Sequence, residues 1–105
     1  MTGRAGLLWR ILKKLFQSPL ERERVFYDRF RELSDEIEAL PDSITHYVLR
    51  GELFIERGEY ERARADFEAA VDIAEAVNAD ESWGLLEQVM RDRALQGIEL
   101  VKRRR

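Results

Sequence analysis

No cysteine occurs in the 105 residues, so a disulfide scaffold, a thiolate metal site and a cysteine nucleophile are excluded together. His46 is the single histidine, which leaves no histidine pair for a metal and no assembled catalytic triad. Two prolines and six scattered glycines form no phosphate-cradling loop, and the long stretches between these breakers predict helices joined by short turns. No apolar run approaches the roughly 20 residues that cross a bilayer, and no cleavable signal pattern is expected at the start. The acidic pairs Asp35-Glu36, Glu59-Glu61 and Asp80-Glu81 lack the loop spacing of a calcium site. No catalytic, cofactor or metal site is expected, and enzyme is the most disfavoured class.

What is present is a folded, strongly charged composition: 45% hydrophobic and 37% charged residues, enough for one domain and too short for two. The net charge of −3 conceals a segregation. Residues 1–17 carry Arg4, Arg10, Lys13 and Lys14 and no acid, and residues 102–105 are Lys102, Arg103, Arg104 and Arg105. Each end is thus +4, and residues 18–101 set 10 basic residues against all 21 acidic ones, for −11. An acidic body lies between two basic ends, which suits anionic surfaces for the ends or their folding back on the body. The division expected is a basic amphipathic helix in 1–17, a helical domain in 18–101 and a basic tail in 102–105.

From Ala5 to Gln17 the helical phase gathers Arg10, Lys13 and Lys14 within about 100°. Leu7, Leu8, Trp9, Ile11, Leu12, Leu15 and Phe16 cover the rest, an apolar face too wide to stay in water. Ser18-Pro19-Leu20-Glu21 is a start signal with cap, first-turn proline and capping-box acid. Phe26, Phe30, Leu33, Ile37 and Leu40 follow at spacings of three and four, a single helical stripe ending at Pro41. Asp42 or Ser43 caps a third helix to about Arg57, Gly58-Glu59 turns the chain, and a fourth helix runs from Tyr60 to about Val77. Asn78-Ala79 breaks it, Asp80 offers a new cap, and the last helix carries Trp83, Leu86, Val89, Met90, Leu95, Ile98 and Val101. Gly84 and Gly97 are expected to weaken that helix. No strand-like alternation appears, so the fold class is all-α.

Within this frame Tyr47, Gly51, Phe54, Gly58, Tyr60, Ala63, Phe67 and Ala70 stand in the order and spacing of large, small and turn positions of a two-helix unit. Residues 44–77 resemble a tetratricopeptide repeat, whose period is 34 residues. The resemblance covers about a third of the chain and implies an antiparallel helical hairpin with flanking helices, as a short right-handed α-solenoid or a bundle. Leu40-Pro41-Asp42 looks like the junction ending a preceding repeat, and Trp83 and Leu86 like the start of a following one. Arg50 departs from the family pattern, where that position is usually apolar. One repeat needs neighbours to bury its faces, so the flanking helices or another subunit must supply cover.

The family resemblance implies a protein-binding module, as an adaptor, assembly factor or small subunit. The groove positions it implies are Thr45, Val48, Glu52, Ile55 and Glu56, without the Lys, Asn and Arg of repeats that grip a terminal carboxylate. Two acids beside apolar residues suit a basic, amphipathic segment of another protein. For the first helix, Leu8, Trp9, Arg10, Leu12, Lys13, Lys14, Leu15 and Phe16 have three docking alternatives. The cations face Glu52 and Glu56 on the same domain, or the helix lies in an anionic membrane surface, or it docks on another subunit. Association of like copies is a further alternative, covering the open repeat faces. The basic tail suits the dipole of the helix it ends. Nucleic acid is disfavoured by the acidic body and the lack of a recognition motif. The setting expected is cytoplasmic, peripheral at a membrane if the first helix meets lipid.

Overall fold

The computed structural model describes residues 3–15, 18–76 and 84–104, with the backbone alone for 3–5 and 13–15. Those residues form five α-helices and no strand: α1 Gly3–Leu15, α2 Pro19–Ala39, α3 Ile44–Glu56, α4 Tyr60–Ala76 and α5 Leu85–Arg103. The expected boundaries of α2, α3 and α4 hold within one or two residues, but the last helix begins later than expected: Gly84 is its extended N-cap and α5 starts at Leu85, so no single helix runs from Asp80 through Leu86. The break at Asn78-Ala79, the cap at Asp80 and the aromatic Trp83 lie outside the described residues, as do Phe16 and Gln17.

The helix starts follow local chemistry. Ser18 Oγ accepts the Glu21 amide at 3.1 Å, with Pro19 in the first turn where no amide is needed. Of the two caps foreseen for α3, Ser43 is the one used: its Oγ accepts the His46 amide at 3.4 Å and meets His46 Nδ1 at 2.6 Å. His46 Nε2 in turn lies 3.0 Å from Glu36, which pins the end of α2 to the start of α3. Gly58 takes φ +75° in the α3–α4 turn, a left-handed conformation that glycine adopts without a Cβ clash. At the far end, Lys102 and Arg103 belong to the last turn of α5 and Arg104 caps it, so the expected basic tail is largely helix.

Each helix from α2 to α5 packs on the next, and α3 also packs on α5. Phe26, Leu33 and Ile37 of α2 are buried as the stripe predicts, and Phe30 is half-buried, its ring centroid 5.6 Å from that of Phe54. Leu40 is the exception at 57% exposed, because the helix has already ended and the backbone turns away at the cap. All of Gly51, Phe54, Ala63, Phe67 and Ala70 are buried, Tyr47 and Tyr60 are half-buried, and Gly58 is exposed at its turn. In α5 the core face is Met90, Ala94 and Val101 with Ile98 half-buried, while Leu86, Val89 and Leu95 are exposed.

Two features hold the four helices in register. The Phe67 ring reaches from α4 between the backbones of α3 and α5. A Cβ placed on Gly51 would meet Phe67 Cε1 at 2.7 Å, and one on Gly97 would meet Cζ at 2.5 Å from the opposite edge. Gly97 is therefore no mere weakness in α5; its missing side chain is the space the ring occupies. The second feature is Arg50, whose Nε and Nη2 each donate to the Asp66 carboxylate at 2.8 Å while Nη1 donates to Ser34 Oγ at 3.1 Å. Asp66 is buried, and the guanidinium also lies within 6 Å of the Phe30 and Tyr47 ring centroids. The residue that departs from the repeat pattern thus joins α2, α3 and α4. The hydrogen bond to Asp66 raises its pKa above the ordinary guanidinium value, with desolvation opposing and the charge of Asp66 assisting.

In an isolated helix, Gly97→Ala would gain about 1 kcal/mol. Here it is expected to cost about 1–3 kcal/mol by overpacking, measured by urea unfolding. Phe67→Leu in the same background should recover part of that loss, since the two share one contact. An equal cost in both backgrounds would show that the ring is not the obstacle. Asp66→Ala is expected to cost about 3 kcal/mol, the low end for a broken buried pair. Arg50→Lys should also destabilise, because an ammonium cannot donate two parallel bonds. A loss below about 1 kcal/mol would class the pair with solvent-screened surface pairs.

Candidate binding groove

The turns of α3 place Glu52, Ile55 and Glu56 on one side, and those of α5 place Arg93, Gln96, Gly97 and Leu100 on another, both at three- and four-residue spacing. Because α3 and α5 pack directly, these two rows face each other across a groove of about 530 Å³. Ile55 and Leu100 make its walls apolar, and the Phe67 ring is part of its lining beside Gly97. Arg93 spans the groove: its Nε donates to Glu52 Oε2 at 2.9 Å and its Nη2 donates to Glu52 Oε1. The Glu52 hydrogen bond raises the Arg93 pKa, with desolvation opposing and the carboxylate charge assisting. Glu52 is held in an ion pair with Arg93, while Glu56 is exposed on the rim.

Three of the five positions expected to line a groove come together here: Glu52, Ile55 and Glu56. Thr45 is half-buried about 10 Å nearer the start of α3 and does not line it. Val48 is 0% exposed and belongs to the core. It shares a helical face with Glu52 and Ile55, but its turn lies inside the core cluster that α2 to α5 form. The open part of the groove is thus shorter than the resemblance implies. The whole opposite wall from α5 went unforeseen, although 93, 96, 97 and 100 carry a helical spacing that marks one face.

The docking alternative on the same domain is not the arrangement found. Among the described residues α1 packs on none of the other helices, and the partner of Glu52 is Arg93 rather than a cation of α1. Leu8, Trp9, Arg10 and Leu12 are exposed. The side chains of Lys13, Lys14 and Leu15, and all of Phe16, lie outside the described residues. Among those described, no helix is long and apolar enough to cross a membrane, and no cluster of metal-ligating side chains occurs. Comparisons with protein-family models, with curated proteins and with solved structures return no match for this chain.

Proposed function

We propose that this chain is a non-catalytic interaction module, a tetratricopeptide-like adaptor or small subunit whose α3–α5 groove takes a basic, amphipathic segment of another protein. The observation that carries this is the convergence of α3 and α5 on one apolar-walled groove with Glu56 at its rim. In stacked helical hairpins the first helices of successive units line the ligand surface, and α3 packs here on both its hairpin partner α4 and the following α5. The α5 wall of the groove belongs to a longer row on that helix. Leu86, Val89, Arg93, Gln96 and Leu100 follow at alternating three- and four-residue spacing, and Leu86 and Val89 are exposed beyond the groove's end. A ligand helix with apolar anchors one turn apart matches that stripe, and its cations would meet Glu56. The polar groups in the interior support binding over catalysis. Arg50, Asp66 and Ser34 satisfy one another, and His46 is engaged by Ser43 and Glu36, so each is committed to the scaffold.

Peptides selected from a random displayed library against the full chain should share Lys or Arg interleaved with Leu, Ile or Phe at three- and four-residue spacing. They should shift the amide resonances of Ile55, Glu56, Gln96 and Leu100, and bind about tenfold more weakly to the Glu56→Lys variant. Selected peptides that are acidic, or that shift residues on another face and ignore Glu56→Lys, would sink the proposal.

A further inference from the structure

We infer that α1 is an in-plane anchor for an anionic lipid surface, an activity separate from the groove and not resting on it. The first support is that the helix is formed yet uncovered. Leu7, Leu8, Trp9, Ile11 and Leu12 are all exposed, Trp9 at 66% and Leu8 at 59%, and no other helix packs on α1 among the described residues. Five large apolar side chains on one short helix need a non-aqueous neighbour, and the described residues of the body do not provide it.

The width of the apolar face identifies that neighbour. At 100° per residue, Leu7, Ile11, Leu8, Leu12 and Trp9 spread over about 200° of the helix circumference. An ordinary groove or core contact takes a helix stripe of about 100°, and would leave the outer residues of the arc in water. The acyl–headgroup boundary of a bilayer takes a whole half-cylinder. Thirteen residues reach about 20 Å, too short to cross the roughly 30 Å hydrocarbon layer, so the helix lies in the plane.

Charge then specifies the lipid. The rest of the circumference belongs to Arg10 and to sequence positions 13 and 14, both lysine, and residues 1–17 contain no acid. Each cation near an anionic surface adds attraction, and the row sits beside Trp9, the side chain that prefers the headgroup level. Residues 18–101 carry −11, and with the +4 of residues 102–105 the body is still −7, so as a whole it is repelled by the same surface. Anchored by α1, the acidic body and its groove stand off from the membrane, open to a partner.

The test uses the full chain with Trp83→Phe, so that Trp9 is the single indole. It is titrated with vesicles of phosphatidylcholine alone and of phosphatidylcholine mixed with phosphatidylglycerol. The expected result is a blue shift of Trp9 emission and co-flotation with the mixed vesicles, absent with phosphatidylcholine alone and weakened by raised salt. Leu8→Glu with Leu12→Glu should lower partitioning by roughly a hundredfold or more. Arg10→Glu with Lys13→Glu should lower it by roughly tenfold or more. Both variants change a helix that packs on no other helix among the described residues, so circular dichroism of the body should be retained. Unshifted Trp9 emission with the mixed vesicles would overturn the inference, and so would equal binding to phosphatidylcholine alone. A third overturning result is a blue shift without lipid that rises with protein concentration alongside a doubled mass, since α1 would then be covered by a second copy.

Discussion

The phenyl ring of Phe67 leaves α4 at the level where both neighbouring helices carry glycine, Gly51 on α3 and Gly97 on α5, and its opposite edges lie against those two backbones. With any side chain at either glycine the helices could not close to this distance without displacing the ring. The contact sets how near α5 approaches α3, and that approach sets what is built on it: the Glu52–Arg93 pair and the width of the groove. A wedge of this kind tolerates little change in volume, because protein interiors are packed as densely as organic crystals.

Around the wedge lies a polar tie of a different kind. Arg50, Asp66 and Ser34 come from three helices and leave no buried side-chain polar atom unsatisfied among the described residues. A buried ion pair adds little net stability compared with well-packed apolar residues, since both charges lose water. It does penalise alternative arrangements, as sliding α3 by one turn against α4 would strand Arg50 and Asp66 apart. Arg57 repeats the pattern nearer the surface, pairing with Glu23 of α2 and lying 4.1 Å from the Phe26 ring centroid. Here the apolar contacts bring the helices together, and the arginines select the register.

The functional proposals follow from what this packing leaves uncovered. Besides Leu20, Val25, Tyr27 and Leu40 on and just after α2, the exposed large apolar side chains lie along α5, where Leu86 and Val89 stand beyond the groove, and on α1, where Leu7, Leu8, Trp9, Ile11 and Leu12 are uncovered among the described residues. The two surfaces carry opposite charge, with Glu56 on one and a cationic arc on the other. They also differ in width, and width separates a ligand helix in a groove from a helix lying in lipid. A chain that grips a membrane with one end and a partner with its middle would bring that partner to the surface.

Local chemistry was legible in the sequence wherever it acts over a few residues. Ser18 and Ser43 as caps, Gly58 as the left-handed turn, the Phe26-to-Ile37 stripe and the small positions Gly51, Ala63 and Ala70 depend on spacings of one to four residues along a helix. The all-α class and the bounds of α2, α3 and α4 followed from them, while the α3 side of the groove came only from the family resemblance. Tertiary structure alone decided the partners that lie far apart in the chain: Arg93 for Glu52 across 41 residues, Asp66 for Arg50 across 16, and Phe67 for Gly97. In the sequence Arg50 was an irregularity and Gly97 a weak point. Each acquires its meaning only when helix crossing distances are set, because a side chain's periodicity reveals which face it occupies but not what stands opposite that face.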